Sequence, residues 1–477
     1  MLCWIPSTNL IRPEFATMSD ASPKEIHRQT ELLFGLDDRP GLMKGSVAAL
    51  GHLAAIVASI LTAPLLICGA IGLNPEDTRY VLSASLLVSG IATFIQVYRI
   101  GNLGCGMIAI QGTSFAFVGP LAYAAPIYAG EIEATILVGK IMGTCAVLGI
   151  LVMISSFYLD KLRNIITSTV AGTTIFLLGA TLLESAIKNL SRVFFTTDGW
   201  GHYTITIEAL VTVGVILFLM RLKQSLVRVA CIPIGLLCGC AVAYILGDYT
   251  PGQSEFSSYF FILSPAYFPL QFDLLLFILL LPIFLVSLTE TIGDITATSL
   301  VSNQPISGPV YVKRLRGGVM ADGFNTSLAS VLGTFPNTTF SQNNAVIRIT
   351  GVASRQVGII LAIFLIILGS TPHISQLFLH IPGAVLHAGT GLLFSMIAYT
   401  GLSIVRIQNH GKSFHVLAIS CICAFALREV APLIAADTFS FAEYSAIVLG
   451  FPVASGAIIA VILDRKMQSE DVRKTKG

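Results

Sequence analysis

The chain has 477 residues, 54% of them hydrophobic and only 11% charged, where a soluble protein carries about 25% charged residues. With a mean hydropathy of +0.81, this excludes an ordinary water-soluble globule and points to a polytopic membrane protein in a lipid bilayer. The net charge of +2 says little by itself, and no nucleic-acid partner is expected; where the charges fall is more informative.

Residues 1–43 form a polar N-terminal tail without the basic start and apolar region of a cleavable signal. Met18-Ser19-Asp20 reads as an alternative start, which would make residues 1–17 an upstream extension. Leu32 to Leu36 is expected to lie against the membrane surface. Runs long enough to cross a bilayer then fall near 44–72, 78–98, 104–124, 134–158, 165–186, 204–220 and 228–247. A second set falls near 270–298, 317–334, 336–352, 355–371, 383–404, 413–432 and 441–463. The expected fold is all-α, with about fourteen spans.

Lys and Arg test that count. With both ends cytoplasmic, the inside loops hold Arg99, Lys161, Arg163, Arg221, Lys223, Arg228, Lys313, Arg314, Arg316, Arg348, Arg355, Arg406 and Lys412. The outside loops hold only Arg79, Lys188, Arg192 and Arg428. Such a bias fits cytoplasmic termini and an even number of spans. The base-free loop from Tyr249 to Pro269 divides the chain into two sevens. Seven is odd, so the second seven must be inverted relative to the first, a common transporter plan with its site at the midplane between interrupted helices.

Two interruptions stand at matching places. In the third span, Ile110-Gln111-Gly112-Thr113-Ser114-Phe115 is polar and is followed by Gly119-Pro120. In the tenth, Thr338 to Thr350 carries Gln342, Asn343 and Asn344 between Pro336 and Gly351. Short β-strands are compatible with both. Amides cannot stay bare in hydrocarbon, so they face protein, water or a ligand. Interhelical hydrogen bonds and a planar heterocycle edge are both open readings.

Glu290 and Asp294 stand four residues apart, on one helical face, and Asp322 lies in the next span. An acid at bilayer centre costs about 2.5–3.5 kcal/mol on insertion scales. Either the acids have a task or they bond nearby hydroxyls such as Thr291 and Thr296. Glu290 is the better ligand candidate, since a carboxylate can accept two parallel N–H bonds. His52 is deep in the first span, where a structural bond and a ligand contact are equally open. Lys140 either pairs with an acid or snorkels. Glu208 and Asp273 are expected at span ends. His373, His380 and His387 are expected at the surface, not as a metal site. The nine cysteines lack zinc spacing, and neither a disulfide framework nor a cofactor is expected.

These residues resemble the nucleobase–ascorbate transporter family. Its signature is Gln or Glu, Asn, any residue, Gly, four residues, then Thr; this chain matches at Gln342, Asn343 and Thr350. Thr289 to Thr298, Gly317 to Gly323, Thr350 to Arg355 and Ile110 to Phe115 are similar to bacterial xanthine and urate permeases. The likeness runs from about Glu31 to Leu463. It implies two inverted repeats of seven. A core unit would span 44–158 and 270–371, a gate unit 159–247 and 383–463, and residues 464–477 would be a second cytoplasmic tail.

The resemblance further implies an inner-membrane homodimer that carries a purine nucleobase with a proton by an elevator movement. Glu290 and Gln342 would hold the base, with Phe115, Ser114 and Asn343 around it; His52, Asp294 and Asp322 would support the pocket and proton coupling. Ala345 replaces the signature glycine, and Arg348 stands where Gln is frequent. Glycine permits backbone angles and approaches that alanine resists, so both departures bear on substrate choice. The alternatives are a nucleobase carrier of other specificity, for guanine, hypoxanthine or uracil, and an anion carrier of the related sulfate or bicarbonate type. A membrane enzyme lacks a nucleophile–base pair or metal set at recognisable spacing, and a channel would not need two matched broken helices.

Overall fold

The computed structural model describes residues 32–128, 130–159, 167–196, 201–222, 227–228, 230–248, 260–407, 411–434 and 449–476. The Met18 start, Cys3, Lys161, Arg163, Lys223, the first half of the Tyr249–Pro269 loop and the front of the expected 441–463 span lie outside these residues. The described chain is mainly helical. In order come α1 (Leu42–Ile71), α2 (Pro75–Tyr98), β1 (Gln111–Thr113), α3 (Val118–Tyr128), α4 (Ala134–Ser155), α5 (Ser168–Thr196), α6 (Gly201–Met220) and α7 (Cys231–Leu246). Then follow α8 (Leu274–Val301), α9 (Gly308–Val331), β2 (Asn337–Thr339), α10 (Gln342–Thr350), α11 (Arg355–Ser370), α12 (Pro372–Leu379), α13 (Gly383–Ile407), α14 (Gly411–Ile434) and α15 (Pro452–Lys476).

Among the described residues eight helices are long and apolar enough to cross a membrane, or nine if the bent pair α11–α12 is one span. The chain is therefore a multi-pass membrane protein. The expected 336–352 span is not one helix. It is a three-residue strand followed by a nine-residue helix, which rises only about 14 Å. The α11–α12 pair bends by 72° at Pro372, where the ring cannot continue the hydrogen-bond ladder.

Local chemistry sets the helix starts. Asn74 caps α2 by accepting from the Asp77 N–H at 2.8 Å, with Pro75, Glu76 and Asp77 in the first turn, a favourable order for residues and dipole alike. Asp273 caps α8 through the Leu276 N–H at 3.1 Å.

The helices sort into two packed groups. In one, α2 lies along α11, α4 along α9, and α1 touches α2 and α11. In the other, α13 lies along α5 and α6, α7 along α6, and α15 along α14 and α5. Gly149 and Gly323 let α4 and α9 cross closely: a Cβ on Gly149 would stand 2.7 Å from the Gly323 carbonyl oxygen. An apolar seam joins the groups, with Phe115, Phe117 and Phe284 from one and Leu177, Leu182, Phe394 and Phe451 from the other.

Four expectations change. Leu32 to Leu36 is tied to the protein itself: Phe34 forms a parallel bridge with Val352, the Leu33 N–H donates to the Gly351 carbonyl at 2.8 Å, and Leu36 is buried beside Cys105 and Met107, while the Leu33 side chain stays exposed. Backbone pairing there satisfies groups that lipid could not. Glu208 is not at a span end but buried within α6. His387 lies within α13, with Nδ1 shielded from solvent and no bond among the described residues. Asp273 is more than an end residue, since it also binds Lys140 and Tyr128. Lys140 thereby resolves as an ion pair, at 3.0 Å.

Candidate functional site

The site is built where two extended segments cross at the centre of the first group. β1 and β2 pair antiparallel, with Gln111 opposite Thr339, Gly112 opposite Thr338 and Thr113 opposite Asn337. The pairing continues through Phe340 N–H to the Ile110 carbonyl at 2.9 Å and Ser114 N–H to the Pro336 carbonyl at 3.1 Å. Gly112 is required by space: a Cβ there would sit 2.7 Å from Phe340 Cζ and 2.9 Å from Ile60 Cγ1.

Extended backbone at this depth needs partners, and α2 supplies them. Thr93 Oγ1 accepts from the Gln111 N–H at 3.0 Å. Gln96 accepts from the Cys105 N–H at 3.1 Å and donates to the Gly318 carbonyl at 2.9 Å.

A helix starts directly after each strand. Ser114 caps a 3-10 turn over Phe115–Phe117, accepting from the Ala116 N–H at 3.2 Å, and the turn leads into α3. After β2, Ser341 precedes α10, which begins at Gln342. The two helix N-termini, with their positive dipole ends, therefore flank the crossing.

α8 lays one face against this crossing. Thr291 donates to Asp322 Oδ2 at 2.5 Å and meets the Thr338 hydroxyl at 3.2 Å, while Thr338 also donates to Asp322 at 3.2 Å. Asp294 lies beside Thr339. One turn on, Thr298 donates to Asn344 Oδ1 at 2.7 Å. Glu290, Asp294 and Asp322 are within electrostatic reach of one another, so they repel when all are charged.

Each expected residue can now be placed. Glu290 and Gln342 are both half-buried, on packed neighbours α8 and α10 of the same group. Neither side chain makes a hydrogen bond among the described residues. Asn343 is buried and donates Nδ2 to the Ile108 carbonyl. His52 is fully buried on α1, beside Asn343, with neither ring nitrogen at bonding geometry to a described partner. Asp322 is buried, with Oδ2 bonded and Oδ1 not. Ser114 is held by its capping role. Phe115 is buried, its ring edge-on to Phe394 of α13 at 6.0 Å.

Ala345 sits in ordinary helix, half-exposed. The fold therefore asks no glycine backbone angle of that position. Arg348 is exposed in the last turn of α10. No group of three His, Cys, Asp or Glu among the described residues stands close enough to hold a metal.

Sequence reasoning takes Gln111 and Thr338 only as parts of the two polar interruptions, without a role of their own, and does not reach Phe394. Gln111 is buried in β1 beside Asp322; its amide in an apolar run was a usable signal. Thr338 joins Thr291 to Asp322, and only the pairing register reveals it. Phe394 had no signal at all, being one more aromatic in an apolar helix.

Comparison with known proteins bears on this arrangement. A model described as a permease family matches residues 43–432. The chain is 35% identical over 451 residues to xanthine permease XanP of Escherichia coli (strain K12), covering 93% of this chain and 96% of the relative. It is 34% identical over 446 residues to xanthine permease XanQ of the same organism, covering 92% and 94%. Among solved structures, the transmembrane domain of the cyanobacterial bicarbonate transporter BicA superposes with a TM-score of 0.54 at 15% identity, covering 90% of this chain and all of that one; this is a likeness of fold alone. By the extent of these matches, the chain belongs to the nucleobase–ascorbate transporter family of permeases.

Proposed function

We propose that the chain is a proton-coupled symporter for purine nucleobases, with xanthine and uric acid as its substrates. The observation that carries this reading is the state of Glu290 and Gln342. On the packed helices α8 and α10, neither side chain makes a hydrogen bond among the described residues, which leaves a carboxylate and an amide available. Glu290 would accept two N–H groups from an imide or purine edge, and Gln342 would complete the grip. Phe115 would flank the ring, Ser114 would hold the turn beneath it, and Asn343 would shape the floor. Asp294, Asp322 and His52 would support the pocket and the proton's passage. The names of XanP and XanQ favour the same substrate class.

In this reading fourteen spans form two inverted sevens. A core of residues 44–158 and 270–371 carries the base past a gate of residues 159–247 and 383–463, by an elevator movement. The protein would work as a homodimer in the inner membrane with both termini cytoplasmic, as the Lys and Arg placement favours. The fold shared with BicA raises an anion carrier as the second reading. A free acid beside the amide argues against an anionic cargo.

Uptake of labelled xanthine into proteoliposomes under an imposed pH gradient tests the proposal. Accumulation should need the gradient, collapse with a protonophore, and be competed by purines but not by sulfate or bicarbonate. Competition by the anions, or accumulation without a gradient, overturns it.

A further inference from the structure

Three arginines from separate elements converge at the turn between α2 and β1. Arg355, at the start of α11, donates Nε to the Gly106 carbonyl at 2.7 Å. A Cβ on Gly106 would stand 3.5 Å from Arg355 Nη2 and 3.6 Å from Arg99 Cδ, so the two side chains meet over that glycine. Arg314 of α9 is buried within electrostatic reach of both. Its Nη1 donates to Gln304 Oε1 at 2.8 Å and lies 3.6 Å from Met107 Sδ. The Arg99 guanidinium makes no hydrogen bond or ion pair among the described residues.

Like charges brought together repel, and the groups that hold these three in place are almost all neutral. Asp37 meets Arg355 at 3.4 Å, with its own side chain 80% exposed. Asp38 is turned into its own loop, accepting from the Gly35 N–H at 2.8 Å. One carboxylate against three guanidiniums leaves a surplus of positive charge. The backbone carries a cost there too. Arg99 closes α2 at φ 63° and ψ 92°, a left-handed setting that a long side chain seldom takes, and such strain gathers at functional positions. The turn that imposes it is seated on α9: the Gly104 N–H donates to the Gly317 carbonyl at 2.8 Å. Tyr98 and Ile100, on either side of Arg99 in the chain, are exposed, and Tyr is a residue of membrane–water interfaces.

We infer that Arg99, Arg314 and Arg355 form a binding site for a phosphoryl group, on what the proposed orientation makes the cytoplasmic side. Planar guanidinium forks match phosphoryl oxygens two at a time. Arg355 is already oriented by its Nε bond and Arg314 by its Nη1 bond, while Arg99 is free to close over the group. The exposed Tyr98 and Ile100 favour an anionic phospholipid as the molecule that carries it; soluble phosphate is the other source. An occupied site ties the end of α2 to the starts of α9 and α11. Nothing in it depends on which solute the protein carries.

The test is thermal melting of the full detergent-purified chain, titrated in turn with phosphatidylglycerol, phosphatidylcholine and inorganic phosphate at constant ionic strength. Phosphatidylglycerol should raise the melting temperature along a saturating curve, and phosphatidylcholine should not. Arg99→Gln should leave melting without lipid unchanged and weaken the apparent affinity for phosphatidylglycerol about five- to tenfold, the worth of one charge-assisted hydrogen bond. Arg99→Lys, which keeps the charge but loses the fork, should lose most of the same affinity. Arg99→Gly, which relieves the backbone, should melt no lower than the native protein yet bind as weakly as Arg99→Gln. A saturating shift with inorganic phosphate that also needs Arg99 supports the site with a soluble occupant. No shift with either ligand, a shift that ignores Arg99→Gln, or full affinity in Arg99→Lys overturns it, the last because diffuse surface charge would then suffice.

Discussion

At the N-terminal end of α8 Asp273 has its acceptors filled: Lys140 at 3.0 Å, the Tyr128 hydroxyl at 2.8 Å and the Leu276 N–H at 3.1 Å, with its own N–H donated to Thr144 at 3.0 Å. Seventeen residues along the same helix Glu290 accepts nothing from the described protein. Both are acids on one membrane helix, and they are treated oppositely. The first is a tie between α3, α4 and α8, complete without any other molecule. The second has no hydrogen-bond partner among the described residues, while its like-charged neighbour Asp322 is held by Thr291 and Thr338. An acid at membrane depth marks function more clearly when the protein has declined to bond it than when it is merely buried.

This contrast can be broken by exchanging the two acids' fates. The largest effect is expected at the open one: Glu290→Gln should lower gradient-driven xanthine uptake by about a hundredfold, the order expected from losing a charged hydrogen-bonding group. Melting of the purified protein should hardly change, since no bond within the protein is lost. A large drop in melting temperature would show Glu290 to be structural. The reverse should hold for the tie. Asp273→Ala leaves Lys140 unpaired and removes the α8 cap, so it should destabilise by about 2–4 kcal/mol, visible as a lower apparent melting temperature, while the KM of the surviving folded protein stays native. Swapping the pair, Lys140→Asp with Asp273→Lys, should recover part of that loss.

Next in size is Gly112→Ala, which should cost about 1–3 kcal/mol through overpacking against Phe340 and Ile60. Adding Phe340→Ala should relieve part of it if the strand crossing is as tight as its geometry implies. Ala345→Gly should be smallest, lowering stability by about 1 kcal/mol because the position is helical. A changed ranking of purine analogues in competition would then come from space beside Gln342, and an unchanged ranking would make the substitution neutral for selection.

How much of this was legible beforehand depended on whether a residue type is costly in lipid. Glu290, Asp294, Asp322, Gln342 and Asn343 stood out because polar groups in apolar runs need a reason. The interruptions announced themselves through Pro336, Gly351 and the Gly119-Pro120 pair. The antiparallel register, which puts Thr338 between α8 and α9, could not be read, because three-residue strands leave no periodicity. Lys140 found its partner 133 residues away, beyond any spacing rule. The Leu32 to Leu36 stretch looked like a surface hydrophobe for want of any sign that Val352 would pair with it.

That pairing has one more implication. Phe34 and Leu36 accept from Ala353 and Arg355, Ser354 donates to the Asp38 carbonyl at 2.6 Å, and Arg355 reaches Asp37 at 3.4 Å and the Gly106 carbonyl at 2.7 Å. The hinge that follows α10 is thus laced to the leader of α1 and to the turn ahead of β1. Three stretches remote in sequence are stitched into a single cuff, so any displacement of α10 must drag the leader of the first helix with it, as a passenger rather than a bystander.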